Sequence, residues 1–305
     1  KNTRRTKIQN PLRGQIHDIR GNPLALSLPA KVVCVDPTLI GNHQERVARV
    51  LAPILQTNET YLIERLTPRV REVNGRMITN QYAVLKRKVP LEDWESVKQA
   101  MASLTFDVDE SQLTRTERRF LYNLRHRAVF SEEDQRRIYP NETLAAHVIG
   151  YVGGDDERGQ NGIELSFDSK LTGVRGWRRT EQARGRELVR YRDQNVEARN
   201  GYTVVLTLDS GLQHIVETEL AAAMEKHSPI SMSCIIVRPR TGEILAMATL
   251  PTYDPHRPAA TDPGTWRNRV ITDSWEPGST FKIVPVSAAL NEGRLKLTDV
   301  YDCEN

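Results

Sequence analysis

Ser279 and Lys282 are the two residues whose types and spacing could do chemistry together. They sit in Trp275-Glu276-Pro277-Gly278-Ser279-Thr280-Phe281-Lys282, followed by the small, apolar run Ile283 to Leu290 and by Asn291-Glu292-Gly293. Pro277-Gly278 signals a turn and Gly293 a helix stop, so a helix is expected from Ser279 to about Leu290. Pro285 should bend it, because it removes a backbone donor. Residues three apart on a helix share a face, which sets the lysine amine beside the serine hydroxyl. A serine hydroxyl is a poor nucleophile until a neighbouring base takes its proton. Lys282 can be that base only when neutral, which means lowering its pKa from ~10.4 towards ~7. That shift costs about 4 kcal/mol, which burial and nearby positive charge can supply. Backbone N–H groups at the helix start would favour the developing oxyanion. The pair alone identifies nothing: one Ser-x-x-Lys match in 305 residues is about what chance gives. A helix start with an exposed lysine is the alternative, so the rest of the chain must decide.

The chain has 305 residues, enough for two domains with sizeable cores. Hydrophobic residues are 38% and charged residues 27%, an ordinary soluble composition. A net charge of +4 suits an anionic wall or membrane surface and is too mild to argue for nucleic acid. No apolar run approaches the ~18 residues of a membrane span. There is no signal peptide and the first residue is Lys1, so both ends read as cut. Cys34, Cys234 and Cys303 are far apart with no Cys-x-x-Cys pair, which suggests neither a zinc site nor a disulfide framework. Cys34 and Cys234 lie in strand-like runs and are expected to be buried. Cys303 is left open to a partner beyond the chain's end. The run Gly153-Gly154-Asp155-Asp156-Glu157 lacks ligands at defined alternate positions and reads as a polar loop, so no metal or cofactor is expected.

In chain order, the basic stretch Lys1 to Lys7 reads as a solvated tail. A short strand then turns at Arg20-Gly21-Asn22-Pro23 into a second strand from Leu24 to Leu28. Residues 44–66 have a helical pattern, Gln81 to Leu85 a strand pattern, and Pro90 starts an amphipathic helix through Trp94, Val97 and Met101. The charged interval from Asp107 to Arg127 reads as a solvated helix or insertion, with a docking surface as the sharper alternative. The basic, aperiodic segment Arg175 to Asn200 reads as a hinge. Tyr202 to Leu208 has the texture of a buried strand. Asp209 and Ser210 can cap a helix whose Leu212, Ile215, Val216, Leu220 and Met224 form one stripe. Cys234 to Val237 and Ile244 to Met247 form a hairpin through Pro239-Arg240-Thr241-Gly242.

Glu276 to Lys282 resembles the active-site serine motif of class B penicillin-binding proteins, for which Ser-x-x-Lys is one of three signatures. The resemblance extends in fixed order over most of residues 11–292. It starts at Arg13-Gly14-Gln15-Ile16-His17-Asp18, where Ile19 departs from the family's usual arginine and puts a local salt bridge in doubt. It continues through Arg136-Arg137-Ile138-Tyr139-Pro140, Ala146-His147, Gly162-Ile163-Glu164 and Leu171-Thr172-Gly173. Leu206-Thr207-Leu208-Asp209, Leu212-Gln213, Thr241 to Ala248, Pro251-Thr252-Tyr253-Asp254-Pro255 and Arg267-Asn268-Arg269 follow.

The resemblance implies an α+β pedestal domain of the dimerisation type over residues 1–200. The N-terminal part of an α/β serine transpeptidase (penicillin-binding) domain would then occupy residues 201–305. It implies Ser279 as nucleophile and Lys282 as base in cross-linking peptidoglycan stem peptides, with β-lactams acylating the same serine. It further implies an extracytoplasmic, membrane-anchored setting, and as partners a membrane glycosyltransferase and division or elongation proteins. Glu276 leans towards the division branch. The family's Ser-x-Asn triplet, Lys-Thr-Gly strand and second oxyanion donor would lie past residue 305, so the chain by itself is expected to be inactive. His147 is open to reading as a base, but the family uses no catalytic histidine, which favours a hydrogen-bonded structural role. Glu164 reads as an anchor between the domains. Two rival readings are a penicilloyl-binding sensor or β-lactamase, which would lack the pedestal motifs, and a non-catalytic scaffold that binds partners through the pedestal.

Overall fold

The computed structural model describes residues 3–301 except 74, 107, 108, 110, 184, 185 and 188–193. Cys303 lies outside the described residues, as do Asp107 and Glu110 of the charged interval.

The longest strand, Pro23–Val35, organises the first two-thirds of the chain. It runs past Leu28 because its second half, Ala30 to Val35, is largely buried and β-branched. Val129–Ile138 pairs with it antiparallel over ten residues, from Val35↔Val129 to Leu26↔Ile138. Ala83–Val89 and the short strand Ile16–His17 also pair with it, and Val204–Val205 runs parallel to Ile16–His17. Helices Gln44–Leu55, Glu59–Leu66, Leu91–Ala102 and Arg115–His126 pack against the far half of this sheet. Their core joins Val47, Leu51 and Leu55 to Leu62, Leu66, Val97 and Leu124. This is the helical periodicity of residues 44–66 and 91–101 folded onto one face. The charged interval does carry a solvated helix: a reciprocal Thr114/Glu117 capping box opens it, and Leu121 and Leu124 are its buried edge.

Three sequence expectations are corrected. The basic N-terminal stretch is no tail: Thr3–Gln9 pairs antiparallel with Gly176–Ala183, from Thr3↔Gln182 to Gln9↔Gly176. The described part of the expected hinge is thereby mostly sheet, with Gln194–Val196 pairing on the other side of Gly176–Ala183. Backbone ladder bonds satisfy N–H and C=O groups whatever the side-chain charge, so a polar strand leaves no hydropathy signal. Tyr202 to Leu208 is a two-residue strand with Tyr202 and Val205 exposed, because it pairs at the sheet's margin, and only Leu208 is buried.

Helix Ser210–His227 packs on the antiparallel hairpin Met232–Val237/Ile244–Leu250, with Val216, Ala246 and Ala248 between them. Leu212 and Leu220 flank this contact, but Ile215 is exposed, so the expected stripe is narrower than its sequence suggests. Cys34 is buried as expected, whereas Cys234 is only half-buried. Among the described residues no helix is long and apolar enough to cross a membrane, and no cluster of three or more His, Cys, Asp or Glu is arranged to hold a metal.

Candidate active site

The serine segment is built as its sequence suggests, with one refinement. Pro277 leads into Gly278, whose φ of +54° is the left-handed conformation that glycine adopts freely. Residues Gly278–Lys282 form a tight 3-10 turn, and an α-helix, Ile283–Asn291, continues from it to the stop at Gly293. In a 3-10 turn residues three apart eclipse, which aligns Ser279 and Lys282 on one face more closely than an α-helix would. Pro285 falls in the first turn of the α-helix, where backbone donors have no intrahelical partner to lose. The Thr280 hydroxyl donates to the carbonyl of Pro277 and the Thr280 amide bonds the same oxygen at 3.2 Å, which fixes the turn.

Ser279 and Lys282 are both exposed, as are Phe281, Ile283, Val284 and Val286, and the helix has no buried residue. A helix apolar all round is built to be enclosed. The burial that a neutral lysine needs does not surround Lys282 among the described residues.

The segments leading to this turn are tied down firmly. Asp18 is fully buried in the turn after Ile16–His17 and accepts five hydrogen bonds. Its donors are the amides of Arg20 and Asn22, Asn22 Nδ2, and the Ser210 amide and hydroxyl, at 2.7 to 3.2 Å. Burial alone would raise the Asp18 carboxyl, but the bonds from Ser210 and Asn22 outweigh it and hold it well below the usual carboxylate range. Arg20, one place later than the family pattern has it, forms an ion pair with the helix cap Asp209 at 2.6 Å. Inside the helix, buried Gln213 bonds both the amide and the carbonyl of Met247 at 2.8 Å, standing in for a strand partner.

A second joint links residues 139–161 to residues 253–266. The Tyr253 hydroxyl donates to the Ala146 carbonyl at 2.9 Å, and Asn161 Nδ2 donates to Trp266 O at 3.1 Å. The Tyr139 amide donates to His256 Nε2 at 3.0 Å, so the His256 proton belongs on Nδ1, facing Asp254 at 3.1 Å. His147 Nε2 meets the Thr265 carbonyl at 2.7 Å and its ring lies edge-on to Tyr253. Burial lowers the His147 pKa, with the Arg269 charge adding to it and the Thr265 bond opposing it. His147 therefore does the structural work expected of it.

Glu164 corrects one expectation. Its Oε2 accepts from Arg13 Nε and its Oε1 from Arg137 Nε, both at 2.7 Å, with the Tyr139 hydroxyl at 3.4 Å. Arg13 Nη1 reaches Asp168 at 2.7 Å and Arg137 Nη1 the Gly14 carbonyl at 2.7 Å. Every partner lies within residues 1–200, so Glu164 anchors strands and helices inside that region instead of joining it to the next. Two buried guanidiniums need two carboxylates, and only folding brings Arg13 and Asp168 together. The acidic loop after Val152 is a hairpin turn whose Glu157 accepts from the Arg137 amide at 2.9 Å and pairs with Lys88 at 3.0 Å.

Comparison with known proteins agrees with this architecture. The penicillin-binding protein dimerisation domain matches residues 8–206 and the penicillin-binding protein transpeptidase domain residues 232–305. Stage V sporulation protein D of Bacillus subtilis is 30% identical over 298 residues, 94% of this chain and 40% of that protein. Peptidoglycan D,D-transpeptidase FtsI of Escherichia coli is 30% identical over 291 residues, 94% of this chain and 44% of its own. The chain thus spans less than half the length of these relatives. Penicillin-binding protein 2X from Streptococcus thermophilus shares the fold, with a TM-score of 0.62 at 24% identity over 97% of this chain and 43% of its own. A dimerisation domain covering more than half of the chain, followed by the start of a transpeptidase domain, makes this chain a member of the class B penicillin-binding proteins.

Proposed function

We propose that the protein to which this chain belongs is a peptidoglycan D,D-transpeptidase that works through an acyl-serine. The observation that carries this reading is the 3-10 turn at Gly278–Lys282, which puts Ser279 and Lys282 on one face within the stretch matching the transpeptidase domain. Neutral Lys282 takes the Ser279 proton. Ser279 Oγ attacks the carbonyl of the penultimate D-alanine of a stem peptide, and the terminal D-alanine leaves with a proton. An amine of a second stem peptide then attacks the ester, forming the cross-link and restoring the serine. β-Lactams acylate the same oxygen. The Ser279 amide, at the start of the turn, is one oxyanion donor.

The apolar helix Ile283–Asn291 fits this role as a central element of a complete transpeptidase domain. Enclosing it would also desolvate Lys282 and favour the neutral amine. We place the boundary between pedestal and transpeptidase at Asn200–Gly201, a few residues before the matched dimerisation stretch ends at residue 206 and ahead of the transpeptidase stretch that starts at residue 232. The setting is the outer face of the cell membrane. The partners are a membrane glycosyltransferase and, from the likeness to FtsI and to a sporulation protein, division-type rather than elongation-type assemblies.

The test is acylation by a fluorescent penicillin, on protein extended through the rest of the transpeptidase domain, beside Ser279→Ala. Labelling should be present in the parent and absent in the variant. A folded, extended protein that takes no label would overturn the enzyme reading and leave a scaffold that binds partners through its pedestal.

A further inference from the structure

The strand Ala83–Val89 pairs with Pro23–Val35 along one side and has no strand partner on the other among the described residues. Beside the open side lies a cavity of about 640 Å3, walled by helix Glu59–Leu66 and the hairpin Val70–Val73/Arg76–Thr79. Five consecutive residues, Ala83 to Arg87, line it. Side chains alternate between the faces of a strand, so a cavity touched by five in succession runs along the strand's edge.

The lining has a definite chemistry. Tyr61, Ile78 and Tyr82 present partly exposed apolar surface to it. Arg65, Arg69, Arg71, Lys86 and Arg87 supply five cations against the single carboxylate of Glu64. Arg69 pairs with Glu64, and Arg87 with Asp155 at 3.3 Å. Arg65 lies over the Tyr61 ring at 5.1 Å and Lys86 donates to the Leu55 carbonyl. Among the described residues no carboxylate pairs with Arg65, Arg71 or Lys86. Three uncompensated positive charges therefore border an open strand edge.

Basic side chains on an edge repel a second basic edge, which disfavours pairing between copies of this chain. They attract an acidic one. We propose that this edge is a docking site for an extended acidic segment of a partner protein. The segment would add a strand along Ala83–Val89, with carboxylates at Arg65, Arg71 and Lys86 and apolar side chains against Tyr61, Ile78 and Tyr82. This gives the pedestal's scaffold role a surface and a partner chemistry, and it does not depend on the acyl-transfer reading.

The probe is a fluorescein-labelled heptapeptide alternating glutamate with valine and threonine, followed by polarisation. Binding should weaken with salt and fall at least tenfold in Arg65→Glu/Arg71→Glu, whose sites are exposed enough to leave the fold intact. Of two peptides N-methylated at alternate amides in opposite registers, the one whose methyl groups face Ala83–Val89 should lose binding to the unaltered protein while the other keeps it, and the amides of residues 83–87 should exchange more slowly when the parent peptide is bound. No binding, binding indifferent to charge reversal, or equal binding of both N-methylated peptides would each overturn the proposal. So would tighter binding of a charge-matched anionic oligosaccharide, which would reassign the cavity to a glycan.

Discussion

Replacing Glu164 with Gln removes one charge and almost no volume, so it isolates the electrostatic role of the anchor inside the pedestal. Glu164 is fully buried, and Arg13 and Arg137 are 3% and 4% exposed. Their Nε groups both bond the Glu164 carboxylate at 2.7 Å. Removing one partner of a buried ion pair costs about 3–5 kcal/mol, because the remaining charge stays desolvated without compensation. Arg13 keeps Asp168, so most of the loss falls on Arg137, whose other side-chain bonds are to the Gly14 carbonyl and the Ser27 hydroxyl. At a urea m-value of about 3 kcal/mol/M, the unfolding midpoint should drop by about 1–1.7 M. Arg137→Met alone should also destabilise, but Glu164→Gln in its presence should cost about 2 kcal/mol less than in the parent. A midpoint within about 0.3 M of the parent, or two fully additive substitutions, would refute the assignment of Glu164 as the charge that holds this region together.

The Asp18 carboxyl is depressed in the folded state, so its contribution is present above the unfolded pKa of about 4 and is lost as pH falls below it. Asp18→Asn should cost at least about 2 kcal/mol at pH 7 and flatten the loss of stability between about pH 4 and pH 2, measured by urea titration. A Cβ on Gly14 would lie 2.0 Å from the Tyr202 carbonyl oxygen, so Gly14→Ala should lower the thermal midpoint sharply while Gly211→Ala, whose Cβ would meet only the Asp209 side chain at 3.4 Å, costs far less. Thr114→Ala removes half of the capping box and should cost about 1 kcal/mol, seen as faster amide exchange in Arg115–His126 with other helices unchanged.

Much of this protein could be read locally. The helices of residues 44–66 and 91–102 follow from apolar spacing, the helix at Ser210 from its Asp209 cap, and the Ser279 turn from Pro277-Gly278. Each of these signals is complete within a turn or two of chain. The order of the family's motifs likewise pointed to the penicillin-binding proteins before any contact was known. What needed the tertiary structure was pairing between distant residues. Thr3–Gln9 and Gly176–Ala183 are both charged and polar, and Thr3–Gln9 is a strand only because Gly176–Ala183 is there to pair with it. Asp18 and Ser210 are 192 residues apart, and neither has a local feature that marks it as half of a buried cluster. Glu164 could be recognised as an anchor, but not as one confined to the pedestal, because its partners come from 151, 27 and 25 residues away. The setting of Ser279 and Lys282 is also a tertiary matter: local sequence puts a hydroxyl and an amine on one face of a turn, while only packing from other segments can bury the lysine, as the proposed role of a base requires.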